Sequence, residues 1–332
     1  MCPETLEIIG RKNISIDRFR ELLVRYEKTG IAAYSELILG LPGETYESFC
    51  NGIEKLFEAG QHSSLFVYNC ELLVNSKIGN KEFRDKYKIE TARTPFNQDH
   101  FEPFAGGICE YSNIIVSTSS MSRNDWVKTS LFSVFVQALH CLGLLQCAAI
   151  YLFFEQNVKY VDFYKSLLDA FSHDGGLCGT VYSKILEKLT RYAQSNDTWS
   201  FFDERFGKIS WPIEEGIFLE LVSSHEELYS FAKEFMKKYI SDSDLIDELI
   251  GYQQFILKKP DDNCEGVSFN YDFHGYFEKI YIHEYEKLLP RNCTLSKKSK
   301  GFSDMKEYAK NVVWFGRRSD KTLSTDIEKV TL

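Results

Sequence analysis

Basic residues are few and dispersed. Lys and Arg number 39 against 48 Asp and Glu in 332 residues, a formal net charge of −9. A surface for duplex nucleic acid needs a concentrated basic face. The dense basic stretches here are residues 297–300 and the Arg317, Arg318 pair, and both are expected to be solvated tail segments. Nucleic acid is therefore disfavoured as a partner. Proline is scarce too, at 7, which argues against long disordered linkers. No two of the nine cysteines (2, 50, 70, 109, 141, 147, 178, 264 and 293) form a Cys-x2-Cys pair. That excludes a zinc knuckle and fits reduced thiols in a cytoplasmic setting. The first ten residues hold two glutamates and no apolar core, so no signal peptide is expected. Gly-x-Ser-x-Gly, phosphate-loop and dinucleotide fingerprints are missing.

One stretch lacks charge altogether. Residues 131–154 contain no Asp, Glu, Lys or Arg over 24 positions, and a spanning helix needs about 20. However, Ser133, Gln137 and His140 share one helical face, and Gln146 adds another polar group. Hydrocarbon penalises such groups. The stretch reads as a buried helix, or as two helices broken at Gly143. Aromatics, by contrast, are plentiful, with 26 Phe and 19 Tyr. Hydrophobic residues reach 44% and charged residues 26%, the balance of a globular chain with a sizeable core. The length suits one large domain or two ordinary ones.

Helix and strand signals alternate at first. Ser15 is placed to cap a helix whose stripe is Phe19, Leu22, Leu23 and Tyr26, with Gly30 as its stop. Residues 31–39 read as a strand ending in Gly40-Leu-Pro-Gly43. A second helix starts near Thr45, with Phe49, Ile53, Leu56 and Phe57 on its buried face and Gly60 at its end. Residues 64–73 are the next strand. This order implies parallel strands joined by a right-handed crossover, and two parallel strands alone leave a sheet uncovered. Residues 75–103 read as polar and irregular apart from a helical piece at 81–87, and 111–119 as a strand. Helical signals then dominate: 126–154, 158–172, 179–195, 214–221, 224–240 and 243–258. Residues 269–281 read as a strand or an irregular cover, and 305–313 as a short helix. The fold class is thus α/β followed by mostly α.

The segment Glu36-Leu-Ile-Leu-Gly-Leu-Pro-Gly-Glu-Thr45 carries the most specific signal. A strand ends at Leu39. Gly40 and Gly43 permit backbone approaches that a β-carbon forbids, and Pro42 stiffens the turn. The helix that follows offers free amides to a polar ligand. This segment resembles the fifth-strand motif of radical S-adenosylmethionine (SAM) proteins, in the cobalamin-binding branch. The likeness extends to Thr5–Asn13 and to the strand around Tyr68, about residues 4–75 in all. It departs from the commoner pattern in having Glu36 for the first glycine and Glu44 one position late.

The resemblance implies the terminal units of a partial (β/α)6 barrel over residues 1–75, a connector over 76–124, and a helical carboxy-terminal domain over 125–332. It also implies SAM along Glu36, Ile38, Gly40, Pro42, Gly43 and Glu44, and a [4Fe-4S] cluster in the complete protein, with cobalamin as a further cofactor. The cluster needs Cys-x3-Cys-x2-Cys, and no cysteines here have that spacing; the nearest pair, Cys141 and Cys147, is Cys-x5-Cys. With only about thirty residues before the motif, the earlier strands are expected on another stretch of polypeptide, a possible separate partner chain. The implied reaction is radical modification or methyl transfer on a small molecule. The alternative is a non-catalytic remnant or partner-binding protein.

Other candidates are weaker. His62, in the loop just before the second strand, would contact a substrate or cofactor from the barrel rim, and Tyr68 and Asn69, with Glu71, would face the pocket from the end of that strand. His173-Asp174, the His274 and His283 pair, and Cys109 lack the further ligands or bases that metal or thiol chemistry needs, so no metal site is expected.

Overall fold

The computed structural model describes residues 2–31, 33–96, 98–102, 109–261, 266–298, 301–317, 322–324 and 326–330. Two helices open the chain, α1 (Pro3–Ile9) and α2 (Ile16–Lys28). Ser15 caps α2, its Oγ accepting from the Arg18 amide at 3.2 Å. Strand β1 (Ser35–Leu39), helix α3 (Tyr46–Glu58) and strand β2 (Leu65–Asn69) then form a parallel βαβ unit, with Glu36 opposite Phe66 and Ile38 opposite Tyr68. Helix α3 begins where the sequence lets it: Thr45 and Ser48 exchange side-chain and backbone hydrogen bonds in a capping box, which satisfies donors otherwise orphaned at a helix start. Phe49, Ile53 and Phe57 are buried on its inner face.

Helix α4 (Lys81–Tyr87) leads into strands β3 (Glu90–Pro95) and β4 (Tyr111–Ser117), an antiparallel pair. The β4 strand lies across the carboxyl end of β2. The Ile115 amide donates to the Cys70 carbonyl at 2.8 Å, and the Leu72 amide to the Asn113 carbonyl at 2.7 Å. Helix α5 (Arg123–Val136), a π-helical turn (Gln137–Cys141) and α6 (Gln146–Gln156) follow. After them come α7 (Tyr160–His173), α8 (Leu177–Ala193), α9 (Ile213–Ser223), α10 (His225–Met236) and α11 (Ser243–Ile256). Helices α5 and α7 pack on α3, so the helical body covers one face of the β1–β2 pair. Most buried apolar residues form one connected core from Leu39 to Val313, and Cys70, Leu72 and Ile115 form a second, smaller cluster with Ile38 and Leu41 packed against it.

No single helix among the described residues is long and apolar enough to cross a membrane. The uncharged stretch of 131–154 is a helix pair bent by 90°. Gly143 sits at the break with a positive φ of 86°, and most of the pair is buried inside the protein.

The structure corrects several expectations. Residues 75–103 contain β3, a strand with little apolar alternation. Residues 269–281 divide into strand β5 (Val267–Tyr271) and helix α12 (Phe273–Tyr281), and β5 pairs with β6 (Pro290–Lys297), which pairs with β7 (Ile327–Lys329). The chain is mixed α/β and mostly helical, with a parallel sheet of two strands among the described residues. The basic residues expected in solvent include two that are buried. Lys297 is 4% exposed and donates to the Leu257 carbonyl at 3.2 Å. Arg317 closes a short helical run after α13 (Met305–Tyr308) and is 5% exposed. Residues 299, 300 and 318 lie outside the described residues.

Arg317 ties distant elements together. Its Nη1 lies 2.8 Å from both Glu214 and Glu215 at the start of α9, and its Nη2 donates to Gln137 of the π turn at 3.3 Å. The guanidinium stacks 4.4 Å from the centre of the Phe66 ring on β2. His100 adds a contact of 2.7 Å to the other oxygen of Glu215. Removing one partner of a buried ion pair leaves the other charge unpaired. Arg317→Leu should therefore lower unfolding free energy by about 3–5 kcal/mol, read from urea denaturation. A loss below about 1 kcal/mol, the range of exposed pairs, would contradict this assignment.

Candidate ligand site at the carboxyl ends of the parallel strands

The turn from Gly40 to Glu44 is held from three sides. Gly40 has φ +99°, and a β-carbon there would stand 2.8 Å from the Ile115 carbonyl oxygen and 3.5 Å from Trp126 Nε1. Gly43 has φ +89°, and a β-carbon there would meet Ile8 Cδ1 at 2.7 Å and Thr5 Oγ1 at 3.3 Å. Only glycine suits both positions, because φ is left-handed and the space is filled. The Gly43 amide donates to Ser120 Oγ at 3.0 Å, which ties the turn to the loop before α5. Pro42 is buried between them.

Buried polar atoms without partners gather around this turn. They are Thr5 Oγ1, Glu44 Oε2, Asn69 Oδ1 and Trp126 Nε1. Buried polar groups are normally hydrogen-bonded, and leaving one unpaired costs about 1–3 kcal/mol. A group of them beside a glycine turn marks a place for a polar ligand or ordered water. Burial pushes the Glu44 carboxyl up to about 7, so near neutral pH it can hold a proton and donate to an acceptor. Asn69 lies opposite Leu39, and its amide reaches the Tyr192 hydroxyl. The Tyr192 ring stacks on Trp126 with centroids 6.0 Å apart.

The other face of the pair is open. Tyr34 and Tyr68 are 63% and 51% exposed, and Glu36 is exposed beside them. Tyr34 meets Phe66 edge-on at 5.8 Å, and Phe66 stacks with Tyr68 at 6.5 Å. Ile38 shares this face, deeper than the turn. Arg317 sits against the amino half of the same face, over Phe66.

The residues singled out from sequence thus fall into separate places. Gly40, Pro42, Gly43 and Glu44 form the turn, and Asn69 stands next to it. Glu36, Ile38 and Tyr68 lie on the open face. His62, expected at a rim, is 4% exposed at the amino end of β2. Its Nδ1 is 3.0 Å from His140 Nε2, and His140 Nδ1 is 2.9 Å from the Tyr164 hydroxyl. Burial, then His283, lowers the His62 pKa to about 3, which makes it a neutral core residue out of reach of a ligand at the carboxyl ends. Trp126 had no signal in the sequence beyond the apolar pattern of α5. Among the described residues no cluster of His, Cys, Asp or Glu is arranged to hold a metal ion, and the cysteines do not supply a cluster-binding set.

A glycine turn in a parallel βαβ unit, with unpaired buried polar atoms beside it, makes a candidate ligand site on an α/β element seated on a helical body. No family model matches the chain. Two curated proteins do. The cobalamin-dependent radical SAM methyltransferase TokK of Streptomyces tokunonensis is 27% identical over 300 residues, taking in 82% of this chain and 43% of its own length. The 2-(S-pantetheinyl)-carbapenam-3-carboxylate methyltransferase of Streptantibioticus cattleyicolor is 30% identical over 295 residues, with the same two shares of 82% and 43%. By sequence this chain is similar, over 82% of its length, to proteins of the cobalamin-dependent branch of radical SAM methyltransferases. It spans less than half the length of the curated relatives it matches.

The raised Glu44 pKa makes a signed prediction. The fold favours the protonated acid, so this contribution to stability is fully present below the unfolded value of 4.5 and is lost as pH rises to about 7. The full effect is about 3 kcal/mol. Glu44→Gln stays neutral and should lack that loss. Urea midpoints of both proteins across this window should converge at low pH, with the variant gaining relative to the native chain as pH rises. Parallel profiles would contradict the assignment.

Proposed function

We propose that this chain forms the carboxy-terminal portion of a cobalamin-dependent radical SAM methyltransferase. In this reading residues 1–75 are the closing units of a partial (β/α)6 barrel, residues 76–124 a connector, and residues 125–332 a helical body on the substrate or partner side. The observation that carries it is the Gly40–Glu44 turn with its buried, unpaired polar atoms, found in a chain related to such enzymes over 82% of its length.

Each residue then has a chemical task. Gly40 and Gly43 let the backbone come close to the ligand. The Glu44 carboxyl, protonated near neutral pH, donates to an acceptor on it. The Trp126 indole N–H is a second donor and Asn69 Oδ1 an acceptor. Pro42 keeps the turn rigid. Ile38 and Glu36 continue the wall deeper along β1, and Tyr68 faces the substrate side. SAM, when bound, supplies the methyl group and the adenosyl unit on which the family's radical chemistry depends.

The iron–sulfur cluster does not fit this chain, because the Cys-x3-Cys-x2-Cys set it needs is missing from the sequence. A stretch of polypeptide with that set must supply it, together with cobalamin. That stretch would also complete the parallel sheet. On its own this chain would neither assemble the cluster nor cleave SAM.

Anaerobic reconstitution tests this reading. The chain alone should retain no stoichiometric iron and form no 5′-deoxyadenosine from SAM under reducing conditions. Mixed with the amino-proximal part of a relative that carries the cysteine motif, it should restore SAM cleavage, and Gly40→Ala should abolish that restoration. Cluster assembly and SAM cleavage by the chain alone would sink the proposal.

A further inference from the structure

The open face of β1 and β2 has a distinctive charge balance. On it stand three rings, Tyr34, Phe66 and Tyr68, and the exposed carboxylate of Glu36. Glu36 pairs in register with Phe66, and Tyr68 is two residues further along β2 on the same side. Side chains two apart along a strand stand on the same face of the sheet. Burial first, and then the Glu36 charge, raises the Tyr68 pKa, which agrees with that placement.

The Arg317 guanidinium at the inner end of the face is already satisfied. Arg317 contacts Glu214 and Glu215 at 2.8 Å each. Burial works to raise the pKa of Glu215, yet His100 and Arg317 outweigh it and hold the group below the usual carboxylate range. One cation therefore serves two carboxylates, and Glu36 adds a third without a salt-bridge partner among the described residues. Among the described residues, an anionic ligand group would find no available cation on this wall. A cationic one would find a carboxylate flanked by aromatic rings, the combination that attracts ammonium groups.

We propose that this face receives a cationic, hydrogen-bond-donating end of the ligand, a protonated amine, between the Glu36 carboxylate and the rings of Tyr34 and Tyr68. The inference rests on the proposed function only for the statement that a substrate approaches this face. Glu36 is separated from Gly40 by most of the length of β1, so this subsite is distinct from the turn.

The test uses the full chain and two matched probes, butylammonium and butyrate, followed by NMR of the tyrosine rings. Butylammonium should shift Tyr34 and Tyr68, and butyrate at equal concentration should not. Glu36→Gln, an exposed substitution that leaves the fold in place, should weaken amine binding roughly three- to fivefold. Tyr68→Phe, which keeps the ring, should leave most of it. Equal responses to both probes, or unchanged amine affinity in Glu36→Gln, would overturn the proposal. Amine discrimination by a chain that fails to restore SAM cleavage in mixtures would support this subsite while removing the methyltransferase reading. Restored cleavage without amine discrimination would do the reverse.

Discussion

Two parallel strands need cover on both faces, and this requirement organises the molecule. Parallel sheets are stable when helices or further layers bury each side. Here α3, α5 and α7 supply one side, and the apolar residues Leu37, Leu39, Leu65 and Val67 pack against that body. The opposite side is only partly covered. Arg317 stacks over Phe66 at its amino half, while Tyr34, Glu36 and Tyr68 remain exposed. Under the proposed function this strand pair is the edge of a larger sheet, with the ligand at its carboxyl ends.

The covered face and the turn depend on each other. Gly40 approaches the Ile115 carbonyl because β4 crosses the strand ends, and Trp126 projects its indole N–H towards the same glycine because α5 begins just after β4. Ser120, in the loop between them, fixes the Gly43 amide. The helical body therefore does more than bury the sheet. It brings the Trp126 indole N–H of α5 to a turn that lies more than eighty residues earlier in the chain. The Arg317 network plays the matching part at the other end, joining α9, the π turn and β2 through one guanidinium.

Much of the βαβ unit was legible because its signals are local. The stripe Phe49, Ile53, Phe57 has helical spacing, Thr45 can cap, and glycines punctuate both ends. The long helices from α5 to α11 were legible for the same reason. What could not be read depends on distant partners. Arg317 looks like a solvated cation until Glu215, 102 residues away, is placed beside it. His62 looks like a rim residue until His140, 78 residues away, meets it in the core. Strands β3, β6 and β7 are polar on their exposed sides, so alternation is weak and the run resembles a loop. At the site, the turn was readable from glycine and proline alone, whereas Trp126 carried no signal beyond being apolar in a buried helix.

In the proposed function, β1 is the seam where this chain meets the rest of a barrel. Amide hydrogen exchange at Ser35, Glu36, Leu37, Ile38 and Leu39 tests it directly. The measurement compares the chain alone with the chain bound to the amino-proximal part of a relative carrying Cys-x3-Cys-x2-Cys. Amides of β1 that point away from β2 should exchange fast in the isolated chain and become protected in the complex, as a neighbouring strand pairs with them. A stable complex in which β1 exchange is unchanged, or full protection of that edge in the chain alone, would contradict the account.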